Sequence, residues 1–156
     1  VAPTVQNFDA ALIVNGHPGI VARGGADGAH LTGIAAFEDA VGSLKPDRIA
    51  GIGGLETRHD AMLAAERSAD YVMFGEPDKN NTRPSLDAIL ERVSWWAEVF
   101  ETPCVAYAAN ADEAAKLAQA GADFVAVGDF VFSDPRGVAT AMKEVAQALR
   151  LPEVAA

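Results

Sequence analysis

The residues best suited to chemistry follow one apolar run. Tyr71-Val72-Met73-Phe74 leads into Gly75-Glu76-Pro77, then into a polar loop, Asp78 to Pro84, that holds Lys79, Thr82 and Arg83. An ammonium, a hydroxyl and a guanidinium gathered in one loop suit an anionic ligand. The lysine acts as a point charge, the arginine as a bidentate fork. The run itself lacks helical spacing and reads as a buried strand that Gly75 and Pro77 end. Ligands of parallel α/β sheets sit beyond the carboxyl ends of the strands, so a site is expected at this loop. Two further strand ends carry Asn15, after the apolar Ala10–Val14, and Gly53-Gly54, after Arg48–Ile52.

A chain of 156 residues, half of them apolar, supports one globular domain with a real core. Lys and Arg total 12 against 22 Asp and Glu, a formal charge of −10. That balance argues against nucleic acid and against an anionic membrane surface, both of which need a basic face. On so acidic a chain the basic pairs Arg58 with His59 and Lys79 with Arg83 suit an anionic ligand. Salt bridges to neighbouring acids are an equally weighted explanation. The lone Cys104 excludes an internal disulfide and a cysteine metal cluster. No apolar run approaches the ~20 residues of a membrane span. No signal peptide is visible, so a cytoplasmic location is expected.

The elements that must position these residues alternate. Short apolar strands are expected at 10–14, 28–31, 48–52, 71–74, 104–107 and 124–127. Helices are expected at the start of the chain, at 19–23 and 37–44, from Thr57, from Ser85, at 110–120 and at 136–149, with a tail over 151–156. Thr57 with Asp60 forms a capping box. After Ser85, the residues Leu86, Ile89, Leu90, Val93, Trp96 and Phe100 recur at helical spacing until Pro103. Trp96 belongs to that stripe and to the core. Trp95 lies off it and suits a subunit contact in a homo-oligomer. His30 reads as a satisfied core histidine, while His17 and His59 read as exposed.

Gly25-Ala26-Asp27, Ser68-Ala69-Asp70 and Gly121-Ala122-Asp123 precede every second strand. Turn chemistry at a helix end explains them better than catalysis does. Strands repeating every ~20 residues with helices between them mark βα units of a parallel sheet. An open six-stranded sheet fits that pattern. A (β/α)8 barrel is preferred, because the units are regular and no Gly-x-Gly-x-x-Gly fingerprint occurs.

In order and spacing the strands resemble one family, the thiamine-phosphate synthases and the related thiazole tautomerases. Leu12-Ile13-Val14-Asn15 is similar to that family's third strand and Gly25-Ala26-Asp27-Gly28-Ala29-His30-Leu31 to its fourth. Ala69 to Gly75 is similar to its sixth strand and Gly121 to Val127 to its eighth. The resemblance implies a (β/α)8 TIM barrel of which residues 1–156, as a single domain, cover about the third to eighth βα units. The first two strands, about 50 residues at ~20 per unit, are then expected upstream of Val1, or another chain is expected to cover the gap.

The implied activity is a transferase reaction. An aminopyrimidine pyrophosphate joins a thiazole phosphate, pyrophosphate leaves and thiamine phosphate forms, with Mg²⁺ as the implied cofactor. Matched residue by residue, Asn15 keeps the asparagine of the third strand. Thr82-Arg83 takes the place of a threonine-lysine. Ala108-Ala109 replaces a glycine pair, Val127-Gly128 replaces valine-serine, and Gly53-Gly54 stands where a serine is usual. The resemblance therefore assigns catalysis to Arg83 and Asn15, and substrate binding to Thr82, Lys79, Gly53, Gly54, Ala109 and Gly128. Gly16 and Ala35 stand where the family has its two metal-binding aspartates, so no metal ligand is assigned. Glu56, Glu76, Asp78 and Asp129 are the remaining acids near strand ends. Glu56 also occupies the place of the tautomerase histidine. A phosphate-binding relative with no such chemistry, or with another reaction, is the alternative.

Overall fold

The computed structural model describes residues 1–150; the expected tail at 151–156 lies outside them. The chain falls into two compact units, Val1–Met73 and a second from Phe74 onward. In the first, helix α1 (Ala2–Gln6) precedes strand β1 (Ile13–Asn15). A 3-10 turn, Pro18–Ile20, runs into α2 (Val21–Gly24). There follow β2 (Gly28–Thr32), α3 (Ile34–Leu44), β3 (Ile49–Gly53), α4 (Arg58–Glu66) and β4 (Tyr71–Phe74), whose last residue opens the second unit. The strands pair in parallel, β1 with β2, β2 with β3 and β3 with β4. The registers Asn15↔His30, His30↔Gly51 and Gly51↔Tyr71 set those four residues in one row. Alternate residues point the other way, so Ala29, Leu31, Ala50, Ile52 and Val72 are buried, as are Phe37, Ala40 and Leu44 of α3, which packs on β2 and β3.

The second unit holds α5 (Leu86–Val99), β5 (Cys104–Tyr107), α6 (Ala111–Gln119), β6 (Phe124–Ala126), α7 (Asp129–Phe132) and α8 (Val138–Arg150). Strands β5 and β6 pair in parallel, Val105 with Phe124 and Tyr107 with Ala126. Ile89, Val93 and Trp96, three residues of the expected stripe, are buried with Cys104, Ala106, Ala114 and Leu117. Trp96 donates its indole N–H to the Thr102 carbonyl at 2.7 Å and stacks on Phe100 with centroids 4.1 Å apart. Trp95 is half-buried and edge-on to both rings.

Ser85 caps α5, and the Thr57–Asp60 capping box is complete. Boundaries move elsewhere. Helix α3 begins at Ile34 rather than Phe37, because Gly33 at φ 88° turns the chain straight from strand into helix. Helix α7 has no counterpart in the pattern, since four residues are too few to show a period. The fold is α/β with six parallel strands among the described residues; they do not form the full eight-stranded barrel.

The three Ala-Asp sequences share one bonding scheme. Asp27 donates its N–H to the Leu12 carbonyl at 2.9 Å, and its carboxylate accepts the Leu12 N–H at 2.7 Å. Asp70 does the same with Ala50, at 2.8 Å for both bonds. Asp123 does so with Cys104, at 3.0 and 2.9 Å. Each aspartate thus closes a ring with one residue of the preceding strand. These residues are structural, as expected, but their carboxylates satisfy a neighbouring strand rather than a turn.

Candidate functional site

In the second unit the loop after β4 is folded by Asp78. One of its carboxylate oxygens accepts the N–H groups of Asn80 and Thr82 at 2.8 and 2.9 Å, while its own N–H donates to the Thr82 carbonyl at 2.8 Å. The loop turns back on itself through Asn81 at φ 59°. Lys79 and Thr82 are left exposed, and Arg83 returns toward the strand. Its Nε donates to the Gly75 carbonyl at 2.9 Å, Nη2 to the Tyr107 carbonyl at 2.8 Å and Nη1 to Glu113 Oε2 at 2.9 Å. The guanidinium also lies over the Tyr107 ring, 5.5 Å from its centroid. Three of its five N–H groups are therefore committed, and it is held in one orientation at the ends of β4 and β5.

Glu113 is the second half of this arrangement. The oxygen that receives Arg83 also accepts the Ala109 N–H at 2.8 Å. The side chains of Arg83 and Glu113 are only 19% and 14% exposed, so water screens the pair weakly. Burial by itself would raise the Glu113 carboxyl, but the Ala109 N–H and the Arg83 guanidinium outweigh it and hold the group below its ordinary range. Asn110 separately caps α6 by accepting the Glu113 N–H at 2.8 Å. Gly128, after β6, faces the Tyr107 hydroxyl, which would stand 2.5 Å from a Cβ there. Arg83, Ala109 and Gly128 thus gather around Tyr107.

In the first unit the strand ends are joined by amides. Gly16 donates to the His30 carbonyl at 2.8 Å and Gly33 to the Gly53 carbonyl at 2.9 Å. Asn15 is exposed at the end of β1. Gly53 is buried, and Gly54 at φ 64° lies against Thr32, whose methyl would stand 2.6 Å from a Cβ. One row lower, the Tyr71 ring crosses Gly51, and its hydroxyl meets His30 Nδ1 at 2.8 Å. Burial lowers His30 and pushes the Tyr71 hydroxyl up to about 12, so both are neutral near pH 7. His30 is a partnered, half-buried histidine, and His17 and His59 are exposed.

The acids present do not build an all-protein Mg²⁺ cage; Mg²⁺ held together with substrate phosphates would need only one or two carboxylates. Among the described residues no group of three or more His, Cys, Asp or Glu could hold a metal ion. Gly16 and Ala35 offer no side-chain oxygen. Asp78 has turned a carboxylate oxygen onto its own loop, and Glu56 and Asp129 are exposed.

Glu113 and Tyr107 are the residues of this arrangement that sequence reasoning missed; Asp78 stands among the acids expected near strand ends, but its part in folding the loop was not read. Asn110 and Glu113 stand at capping-box spacing, which marks a helix start but does not announce a partner 30 residues away. Asp78 precedes Asn80-Asn81, a turn signal that was available.

The fold defines a parallel α/β protein with a polar loop after β4. Comparison with known proteins narrows this. The family model described as thiamine monophosphate synthase matches residues 1–155, and the chain belongs to that family. The thiamine-phosphate synthase of Rhodospirillum centenum is 39% identical over 151 residues, covering 95% of this chain and 73% of that protein. The one from Erythrobacter litoralis is 38% identical over 142 residues, covering 87% and 67%. Among solved structures, thiamine phosphate pyrophosphorylase from Pyrococcus furiosus matches with a TM-score of 0.75 at 24% identity, covering 95% of this chain and 71% of that one. Orotidine 5'-phosphate decarboxylase from Pyrococcus horikoshii matches at 0.65 and 16% identity. The fold is therefore shared more widely than the family. No helix among the described residues is long and apolar enough to cross a membrane.

Proposed function

We propose that the protein is a thiamine-phosphate synthase, a transferase that joins an aminopyrimidine pyrophosphate to a thiazole phosphate and releases pyrophosphate. The observation that carries this reading is the family match along residues 1–155. In the reaction the carbon–oxygen bond to pyrophosphate breaks and the same carbon bonds to the thiazole, so negative charge gathers on the leaving group. Fixed donors lower such a barrier because they need no reorganisation as the charge develops.

Arg83 is the catalytic residue of the second unit. Its contacts to the Gly75 and Tyr107 carbonyls pre-orient a permanent cation whose remaining N–H groups can bind departing phosphate oxygens. Thr82 and Lys79 supply an exposed hydroxyl and ammonium from the same loop, and the N–H groups of Ala109 and Gly128 serve a substrate phosphate. In the first unit Asn15 offers an amide to a substrate ring or phosphate, and Gly53 and Gly54 keep the end of β3 free of side chains. No step is assigned to Mg²⁺, because no cluster of acids among the described residues forms a ligand set by itself. The substrates are phosphorylated small molecules, and the reaction belongs in the cytoplasm.

The test is formation of thiamine phosphate from the two phosphorylated halves by the whole protein, with and without Mg²⁺. Product well above background is expected, with Arg83→Ala lowering the rate roughly 100-fold, the size of losing one fixed oxyanion donor. No product under either condition would falsify the catalytic reading.

A further inference from the structure

We propose that the Glu113 carboxylate is an internal anion that occupies the phosphate donors of the second unit, so that a ligand phosphate enters by displacing it. This deepens the reading above and rests on it, since it requires phosphate to bind at Arg83 and Ala109. A single oxygen, Oε2, takes both the Arg83 Nη1 at 2.9 Å and the Ala109 N–H at 2.8 Å. A guanidinium and a backbone amide are the pair of donors that a phosphate oxygen would use. With Glu113 in place the ion pair is neutral, and an arriving anion meets no net positive charge there. With Glu113 withdrawn, Arg83 and Ala109 both face the ligand.

The surrounding bonds allow that exchange. Arg83 keeps its contacts to the Gly75 and Tyr107 carbonyls, neither of which involves Glu113. Helix α6 keeps its cap, because Asn110 accepts the Glu113 backbone N–H rather than its side chain. A phosphate has three or more oxygens and up to two charges, so it outbids one carboxylate for the same donors. The side chains are 14% and 19% exposed, so the exchange takes place where charge is weakly screened and the competition is sharp. The ordinary alternative makes Glu113 a strut that holds Arg83 ready for the ligand. The two roles differ in sign: removing a competitor tightens phosphate binding, and removing a strut weakens it.

The experiment is calorimetric titration of the whole protein with inorganic phosphate at low ionic strength, comparing wild type with Glu113→Gln. Glutamine keeps an oxygen for the Ala109 N–H and removes the charge. The expected result is roughly tenfold tighter binding, the size of one charge-assisted hydrogen bond. Glu113→Ala, which empties the same donors, should change affinity in the same direction. Asp112→Asn removes one charge at the adjacent residue, where Asp112 pairs with Lys116 at 2.9 Å on an exposed face, and should stay within about twofold. Equal or weaker binding by Glu113→Gln, with wild type still binding, overturns the competitor role and leaves the phosphate site standing. A similar gain in Asp112→Asn also overturns it, as an effect of net charge alone. No binding by wild type or either Glu113 variant overturns both the phosphate site and this inference.

Discussion

At the amino ends of three strands, Leu12, Ala50 and Cys104 are held by the same two bonds, one to a neighbouring aspartate's carboxylate and one to that aspartate's N–H. The carboxyl ends follow no single scheme. Gly16 and Gly33 bridge strands by a single amide each. Asp78 folds a whole loop around one oxygen, and Glu113 ties Arg83 to the Ala109 amide. The contrast has a physical source. A strand that starts inside a sheet must satisfy its first backbone groups whatever the protein does, so one solution recurs. A strand that ends at a site must also present donors to a ligand, and those differ with each part of the ligand. Repetition marks architecture here, and the irregular ends are where the proposed site lies.

The largest departure from this division should come between the two ends, at Gly51. A Cβ there would stand 1.9 Å from the Tyr71 ring, so Gly51→Ala forces the ring off His30 or moves a strand. A loss of about 3 kcal/mol is expected in chemical denaturation. Tyr71→Ala should cost less in the Gly51→Ala background than in wild type, because the clash is gone; equal costs in the two backgrounds contradict the packing account.

Asp70→Ala comes next. It strips the Ala50 N–H of its acceptor and removes the Lys45 ion pair at 2.7 Å. Stability should fall by about 2 kcal/mol, within the range for an orphaned amide, while the rate per folded molecule stays at wild type. A slower folded enzyme would mean that the amino ends also serve the chemistry.

The smallest effect concerns pH. Glu113 is held below the ordinary carboxylate range, whose unperturbed value is 4.5. Its contribution to stability is therefore complete above that value and is lost as pH falls through the lowered one. The Tm gap between wild type and Glu113→Gln should shrink as pH falls below 4.5, with wild type the more stable above it. A gap that is constant with pH, or that widens on acidification, would show that the carboxylate charge does not stabilise this loop.

Much of the fold was legible because it is local. The cap at Thr57, the start at Ser85 and the stripe Ile89-Val93-Trp96 depend on neighbours within a turn or two, and the structure holds all of them. Less of the candidate site could be read. Arg83 stood out by its type and its place after a buried strand, whereas Glu113 looked like a surface acid in the first turn of a helix. Nothing near Glu113 in the chain says that its carboxylate faces a guanidinium.

By itself the sequence determined most of the segments that become strand or helix, the helix caps at Thr57 and Ser85, and that the loop from Asp78 to Pro84 gathers cations. Only the tertiary structure decided what those groups bind. Asp27 meets Leu12 across 15 residues and Arg83 meets Glu113 across 30. Tyr71 crosses Gly51 to reach His30 because the registers of three strands align. Such meetings depend on register, where a slip of one residue turns a side chain to the opposite face, and register is a property of the assembled sheet.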